Sequence, residues 1–270
     1  MKLAFSTLGC PGWSWDEIFA TAKDLGLSGI EIRGVENEMY APAIKAFQPE
    51  NREKNLEKLK KAGMELSMLT SGACLGMSGN FEKYINEAKE YIDFASVLGV
   101  KNIRVMVSPV AKPEPADLIQ AKKLYLQLCD YAEGKDVSVL VETNGLLANS
   151  DEMKKFMEGV PTTTGGILWD IHHPFRYYKE EIAKTYRNLS GWVKYVHVKD
   201  SVMQNEAVNY RMMGYGNVPI FDALQTLQND GYEGYVSLEW LKRWCPDLQE
   251  PGIVFSHFTS YMNFLLNQIK

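Results

Sequence analysis

Eight short apolar runs alternate with helix-like segments from one end of the chain to the other, and that alternation limits the fold more than any other feature. The runs lie at 2–7, 29–32, 64–69, 102–107, 137–142, 166–170, 193–198 and 235–239. Each has strand length and falls short of a buried helix. The first helix is expected to begin near residues 13–17 with Ser14 as its N-cap. Further helices are expected at 51–62, 81–98, 116–132, 151–158, 178–188, 220–229 and 257–269, with the glycine-rich stretch 70–80 as a loop. Within 81–98, Tyr84, Ala88, Tyr91, Ile92 and Ala95 share one face, and Gly99 follows as a stop. Strands that alternate with helices build a parallel sheet covered by helices. Eight repeats predict a closed (β/α)8 TIM barrel, an α/β fold forming a single domain over residues 1–270. An open doubly wound sheet is the rival, but Gly9-Cys10-Pro11-Gly12 does not match the GxGxxG fingerprint that should follow its first strand.

Charge and cysteine usage narrow the function classes. The formal net charge of −5 provides no global basic field for nucleic acid or an anionic membrane. No run approaches the roughly 18 apolar residues of a membrane span, and the first apolar run is too short for a signal-peptide core. Cys10, Cys74, Cys129 and Cys245 are scattered, without the spacing of a zinc knuckle or a CxxC motif. These features predict a reduced, cytoplasmic protein with no nucleic-acid or membrane partner.

Three of the runs end in a carboxylate, Glu142, Asp170 and Glu239, and a fourth carries His197 one residue before its end. A carboxylate at the end of a buried strand is costly unless something pairs with it. Any one of them alone reads equally well as a helix cap or the partner of a Lys or Arg. All four at successive strand ends of a barrel converge on one mouth, where functional residues of this fold gather, and that favours a shared cation. Three oxygen ligands and one imidazole suit a single divalent ion, Mn2+, Co2+ or Mg2+ first and Zn2+ after them.

Other residues are placed near that mouth. His173, three residues after Asp170, falls in the loop beyond the strand and within reach of a metal-bound substrate; His172 is the less favoured twin, and His257 is read as structural. Lys199 is placed to neutralise a carboxylate or a substrate oxygen, and Asp200 to orient His197 or cap the turn. Arg211 lies in the following loop, where a guanidinium would grip a substrate oxygen, although a surface role suits it nearly as well. Gly214 and Gly216 are a weak signal for a phosphate cradle. Glu31 ends the second strand and reaches toward the same mouth. Trp13, Trp15, Trp240 and Trp244 are either packing elements or walls for a sugar ring.

The segments Val141-Glu142-Thr143-Asn144, Trp169-Asp170-Ile171-His172-His173-Pro174, Val196-His197-Val198-Lys199-Asp200 and Ser237-Leu238-Glu239-Trp240, with Gly29-Ile30-Glu31-Ile32-Arg33, make the chain resemble the xylose isomerase-like TIM barrel superfamily, in particular its sugar phosphate isomerase/epimerase group. The resemblance covers essentially the whole chain. It is specific to the superfamily rather than to one activity. From its ketose 3-epimerase members it implies that Glu142, Asp170, His197 and Glu239 bind one divalent metal. Glu142 and Glu239 would then exchange a carbon-bound proton through an enediolate, while His173 and Arg211 hold substrate hydroxyls. The implied substrate is a small ketose or a polyol-derived hydroxy-ketone, and a homodimer or homotetramer is consistent with the group. A keto-polyol (inosose-type) dehydratase with the same metal site and a non-catalytic sugar-binding barrel are the alternatives. The superfamily's DNA-repair endonuclease branch needs a trinuclear zinc cluster rich in histidine, which four histidines and an acidic chain do not suit.

Overall fold

In the computed structural model, which describes residues 1–269, eight parallel strands close into a barrel. They are β1 (Lys2–Ser6), β2 (Gly29–Ile32), β3 (Glu65–Cys74), β4 (Asn102–Met106), β5 (Ser138–Glu142), β6 (Gly165–Asp170), β7 (Val193–Val198) and, last in the chain, β10 (Tyr235–Leu238), which pairs with both β7 and β1. Period-two alternation sorts each strand between two environments. Leu140, Leu168, Tyr195 and Tyr235 point inward with Ala4 and Met68 and fill the floor of the barrel. Their outward neighbours Val139, Val141, Ile167, Trp169, Val196 and Val236 belong to the larger core beneath the helices. Two residues further along β5, β6 and β7 the inward side chains are Glu142, Asp170 and His197, so the floor is apolar and the mouth polar. The registers Leu168↔Tyr195, Asp170↔His197 and Ser237↔His197 hold these side chains level from strand to strand.

The outer layer is α1 (Trp15–Asp24), α2 (Pro49–Lys61), α3 (Phe81–Leu98), α4 (Leu118–Ala132), α5 (Ser150–Met157), α6 (His172–Tyr178), α7 (Ile182–Leu189), α8 (Ile220–Asn229) and α9 (Pro251–Gln268). Ser14 caps α1 in a reciprocal box: its Oγ accepts from Glu17 N, and Glu17 accepts the Ser14 N–H at 2.8 Å. Gly99 ends α3 in the left-handed conformation at φ 71°. Among the described residues no helix is long and apolar enough to cross a membrane.

Four local expectations are corrected. Strand β3 runs on into the expected 70–80 loop, because Ser71, Gly72 and Ala73 stay extended and Cys74 pairs with Met106 after an irregularity. The stretch after β7 is not plain loop but an antiparallel hairpin, β8 (Asp200–Gln204) with β9 (Ala207–Arg211). His173 lies in the short helix α6 rather than in a loop. The last helix begins at Pro251, a residue suited to the first helical turn, six residues before the expected start.

Candidate metal centre

The strand-end residues of β5, β6 and β7 meet at the mouth, joined by Glu239, which lies one residue beyond β10 and is fixed there by its N–H donating to Val198 O at 3.0 Å. Glu142, Asp170 and His197 are buried to 1% exposure or less, and Glu239 to 7%. His197 Nδ1 lies 3.7 Å from Glu239 Oε1, 3.9 Å from Glu142 Oε1 and 4.0 Å from Asp170 Oδ2. That nitrogen is buried and has no hydrogen-bond partner. The other ring nitrogen, Nε2, donates to Glu31 Oε2 at 2.9 Å, which leaves the Nδ1 lone pair facing three carboxylates. Such a lone pair is repelled by its surroundings unless a cation stands among them, and the separations suit ligands about 2.0–2.4 Å from one ion.

Charge balance points the same way. Four buried carboxylates, Glu31, Glu142, Asp170 and Glu239, face two buried cations, Arg104 and Lys199. Arg104 Nη1 donates to Glu142 Oε2 at 2.8 Å and its Nη2 to Ser71 O at 2.7 Å. Lys199 Nζ contacts both Asp170 Oδ2 and Glu239 Oε2. With His197 neutral, as a metal ligand must be, the shortfall of two positive charges is what one divalent ion supplies. Oxygen and imidazole donors without thiolate suit magnesium, manganese, cobalt or zinc.

The local fields sort the protons. Burial alone lowers the His197 imidazole, but Glu31 and Glu239 override it and raise its pKa to about 9. Burial pushes the Asp170 carboxyl up and outweighs Lys199 there. At Glu239 burial also acts upward, but Lys199, His197 and Arg104 together hold the carboxyl well below its usual range. Burial lowers Lys199, yet Asp170 and Glu239 raise it further, so it stays an ammonium. His173 is driven down to about 3, first by burial and then by Lys199, and is therefore neutral. Its Nδ1 sits 2.9 Å from Thr143 O, so the proton is on that nitrogen, and Nε2 faces Asp170 Oδ2 at 3.5 Å. His173 thus shares a ligand-sized cluster with Glu142, Asp170 and Glu239, while His197 has the orphaned nitrogen.

The remaining expected site residues divide. Glu31 is fully buried behind His197, hydrogen-bonded to its Nε2, and does not line the cavity. Asp200 does not touch His197; its carboxylate accepts from the N–H groups of Gly214 (2.9 Å), Gly216 (2.8 Å) and Val218 (3.1 Å). Those glycine amides are therefore not free to cradle a phosphate. Arg211 ends β9 and donates to Tyr210 O at 3.1 Å; Tyr210, not Arg211, lines the cavity over the site. His172 is buried and bonded to Ser201 Oγ at 2.9 Å, and His257 bonds Met213 O at 2.7 Å. Among the tryptophans expected at the mouth, Trp244 lines the cavity; Trp240 is buried, and Trp13 and Trp15 pack on Phe255 and Phe47. The cavity measures about 400 Å³, and Arg33, Arg104, Asn144 and Tyr177 also line it. Arg104 was detectable in principle: an arginine at an inward position of an apolar strand must have a buried acid as its partner.

Comparison with known proteins agrees with this architecture. The family model described as xylose isomerase-like TIM barrel matches residues 19–254. A fructoselysine 3-epimerase of Escherichia coli O157:H7 is 21% identical over 250 residues, covering 88% of this chain and 90% of that protein. Among solved structures, a probable 3-DHS dehydratase from Bacillus anthracis superposes with a TM-score of 0.80 at 17% identity, covering 97% of this chain and 99% of that one. A xylose isomerase-like TIM barrel protein from Mycobacterium smegmatis in complex with magnesium superposes with a TM-score of 0.75 at 15% identity, covering 99% and 97%.

Proposed function

This chain belongs to the xylose isomerase-like TIM barrel family, and we propose that it is a divalent-metal-dependent isomerase or epimerase of a small ketose or related hydroxy-ketone. The observation that carries this reading is the unpartnered Nδ1 of His197 among the oxygens of Glu142, Asp170 and Glu239. Those four residues would hold the ion. A bound divalent cation supplies Lewis-acid stabilisation of the negative charge that develops on a substrate oxygen when the neighbouring carbon loses its proton.

The chain's own residues do the rest. Glu142 and Glu239 are the acid–base pair: one carboxylate takes the carbon-bound proton and the other returns it. Return to the opposite face of the same carbon inverts it; return to the adjacent carbon interchanges ketose and aldose. Arg104 anchors Glu142, and Lys199 anchors Glu239. His173, neutral and fixed on Thr143 O, is suited to hold a substrate hydroxyl through Nε2. In D2O, substrate recovered from the wild type should carry deuterium at the exchanged carbon, and Glu142→Gln and Glu239→Gln should each abolish that incorporation. Exchange at the wild-type rate in both variants would sink the assignment. If the same proton abstraction instead expels a neighbouring hydroxyl as water, the product loses about 18 mass units, and the reaction is the dehydration that the Bacillus anthracis protein's description suggests.

A further inference from the structure

With a divalent ion, Arg104 and Lys199 counted against the four buried carboxylates, the charges at the mouth balance without Arg33. That residue follows β2 directly, is half-buried and lines the cavity with Arg104, Lys199, Glu142 and Glu239. Its backbone is fixed by the Arg33 N–H donating to Thr7 Oγ1 at 2.9 Å. Its guanidinium has no carboxylate within 4.0 Å among the described residues, and its hydrogen bond to Met39 O is long, at 3.5 Å. Glu87, the carboxylate whose charge acts most on Arg33, is engaged with the Gly72 N–H at 2.6 Å. Burial first and the neighbouring Arg104 second pull Arg33 down to about 10, with Tyr91 and Glu87 offsetting only part of this. Two guanidinium groups therefore face one cavity with a single bound acid between them.

We infer that the substrate of this cleft is anionic, and that Arg33 takes its carboxylate or phosphate group while the hydroxy-ketone end faces Glu142 and Glu239. A planar fork of N–H donors fits either anion, and a half-buried setting strengthens the pairing. Arg104 adds field to the same end, with one N–H of each terminal nitrogen already given to Glu142 and Ser71 O. Lys112, which also lines the cavity, extends the positive end toward solvent. The aliphatic and aromatic walls, Leu8, Val110, Leu241 and Trp244, offer no competing acid along the way. The inference rests on the metal cleft being the substrate site and specifies what class of molecule enters it.

The test uses Mg2+-loaded protein titrated separately with inorganic phosphate and with acetate, at matched ionic strength, following the shift in melting temperature. The wild type should respond saturably to at least one anion, and Arg33→Gln should weaken that response about tenfold or more. Arg33→Lys, which keeps the charge, should recover much of it. A response to phosphate alone identifies a phosphorylated substrate; a response to acetate alone identifies a keto acid. No saturable response of the wild type up to about 50 mM of either anion, or an equal response in Arg33→Gln, overturns the inference. Mg2+ stoichiometry on the same samples separates the two claims. Cation binding without anion binding removes this inference alone, whereas Arg33-dependent anion binding without a cation removes the metal reading alone.

Discussion

Glu31 and His197, 166 residues apart in the chain, are joined by a buried 2.9 Å hydrogen bond from Nε2–H to the carboxylate. The bond fixes the imidazole tautomer, and the free lone pair on Nδ1 is thereby aimed at Glu142, Asp170 and Glu239. Partners of this kind set both the orientation and the basicity of a metal-bound histidine. Replacing Glu31 by Gln, which keeps the shape and removes the charge, should weaken Mn2+ binding by about 10–100-fold. Isothermal titration of the two proteins measures this, with circular dichroism to verify the fold. Unchanged affinity would show that Glu31 does not act through His197.

Proton competition follows from the same pair. A metal ligand must be the neutral imidazole, but the His197 pKa is raised to about 9. Each ion bound near neutrality should therefore displace about one proton from His197, and log affinity should climb with roughly unit slope until about pH 9. The sign for stability is opposite. His197 has a folded pKa above its unfolded value of about 6.5, so with EDTA present its contribution is complete below that pH and is lost as pH rises through about 9. Chelator competition and melting curves across this range test both slopes. A flat affinity profile contradicts the ligand assignment.

Lys199 is a buried ammonium between Asp170 and Glu239. Lys199→Met leaves two buried carboxylates facing each other, and in EDTA it should cost about 3–5 kcal/mol of stability. The same change removes a positive charge that repels a cation, so Mn2+ should bind at least as tightly and should restore much of the lost melting temperature. Weaker Mn2+ binding in Lys199→Met would argue that the lysine shapes the site by packing instead of by charge.

Asp200 holds the loop after the β8–β9 hairpin through the amides of Gly214, Gly216 and Val218. Hydrogen bonds to an ionised acceptor contribute about 1.5–3 kcal/mol each, so Asp200→Ala should destabilise the protein by at least about 3 kcal/mol. Fast amide exchange should then appear over residues 212–218. Gly216→Ala should act similarly, because a Cβ there would stand 2.0 Å from Asp200 Oδ1. Native exchange rates in that loop in both variants would contradict the role.

The barrel and its convergent strand ends are legible because strands buried on both faces read as short apolar runs, and in β5, β6 and β7 the inward residues Leu140, Leu168 and Tyr195 are followed two positions on by Glu142, Asp170 and His197. The β8–β9 hairpin is hidden because its two-residue turn, Asn205-Glu206, carries positive φ at both positions (50° and 61°) without the glycine that signals such turns. That Glu31, and not Asp200, is the partner of His197 is hidden for a different reason. Asp200 is close to His197 in sequence but its carboxylate faces a later loop, whereas Glu31 meets His197 only once the barrel closes. Arg33 and Arg104 depend on the same closure, since strand order alone does not reveal which cations face which acids.

Diffraction from crystals soaked in Mn2+, with anomalous differences collected near the manganese edge, tests the central claim most directly. The account predicts one anomalous peak per chain, about 2.0–2.4 Å from His197 Nδ1 and from an oxygen of each of Glu142, Asp170 and Glu239. A peak elsewhere, or none at this position with Lys199 still bridging Asp170 and Glu239, would contradict it.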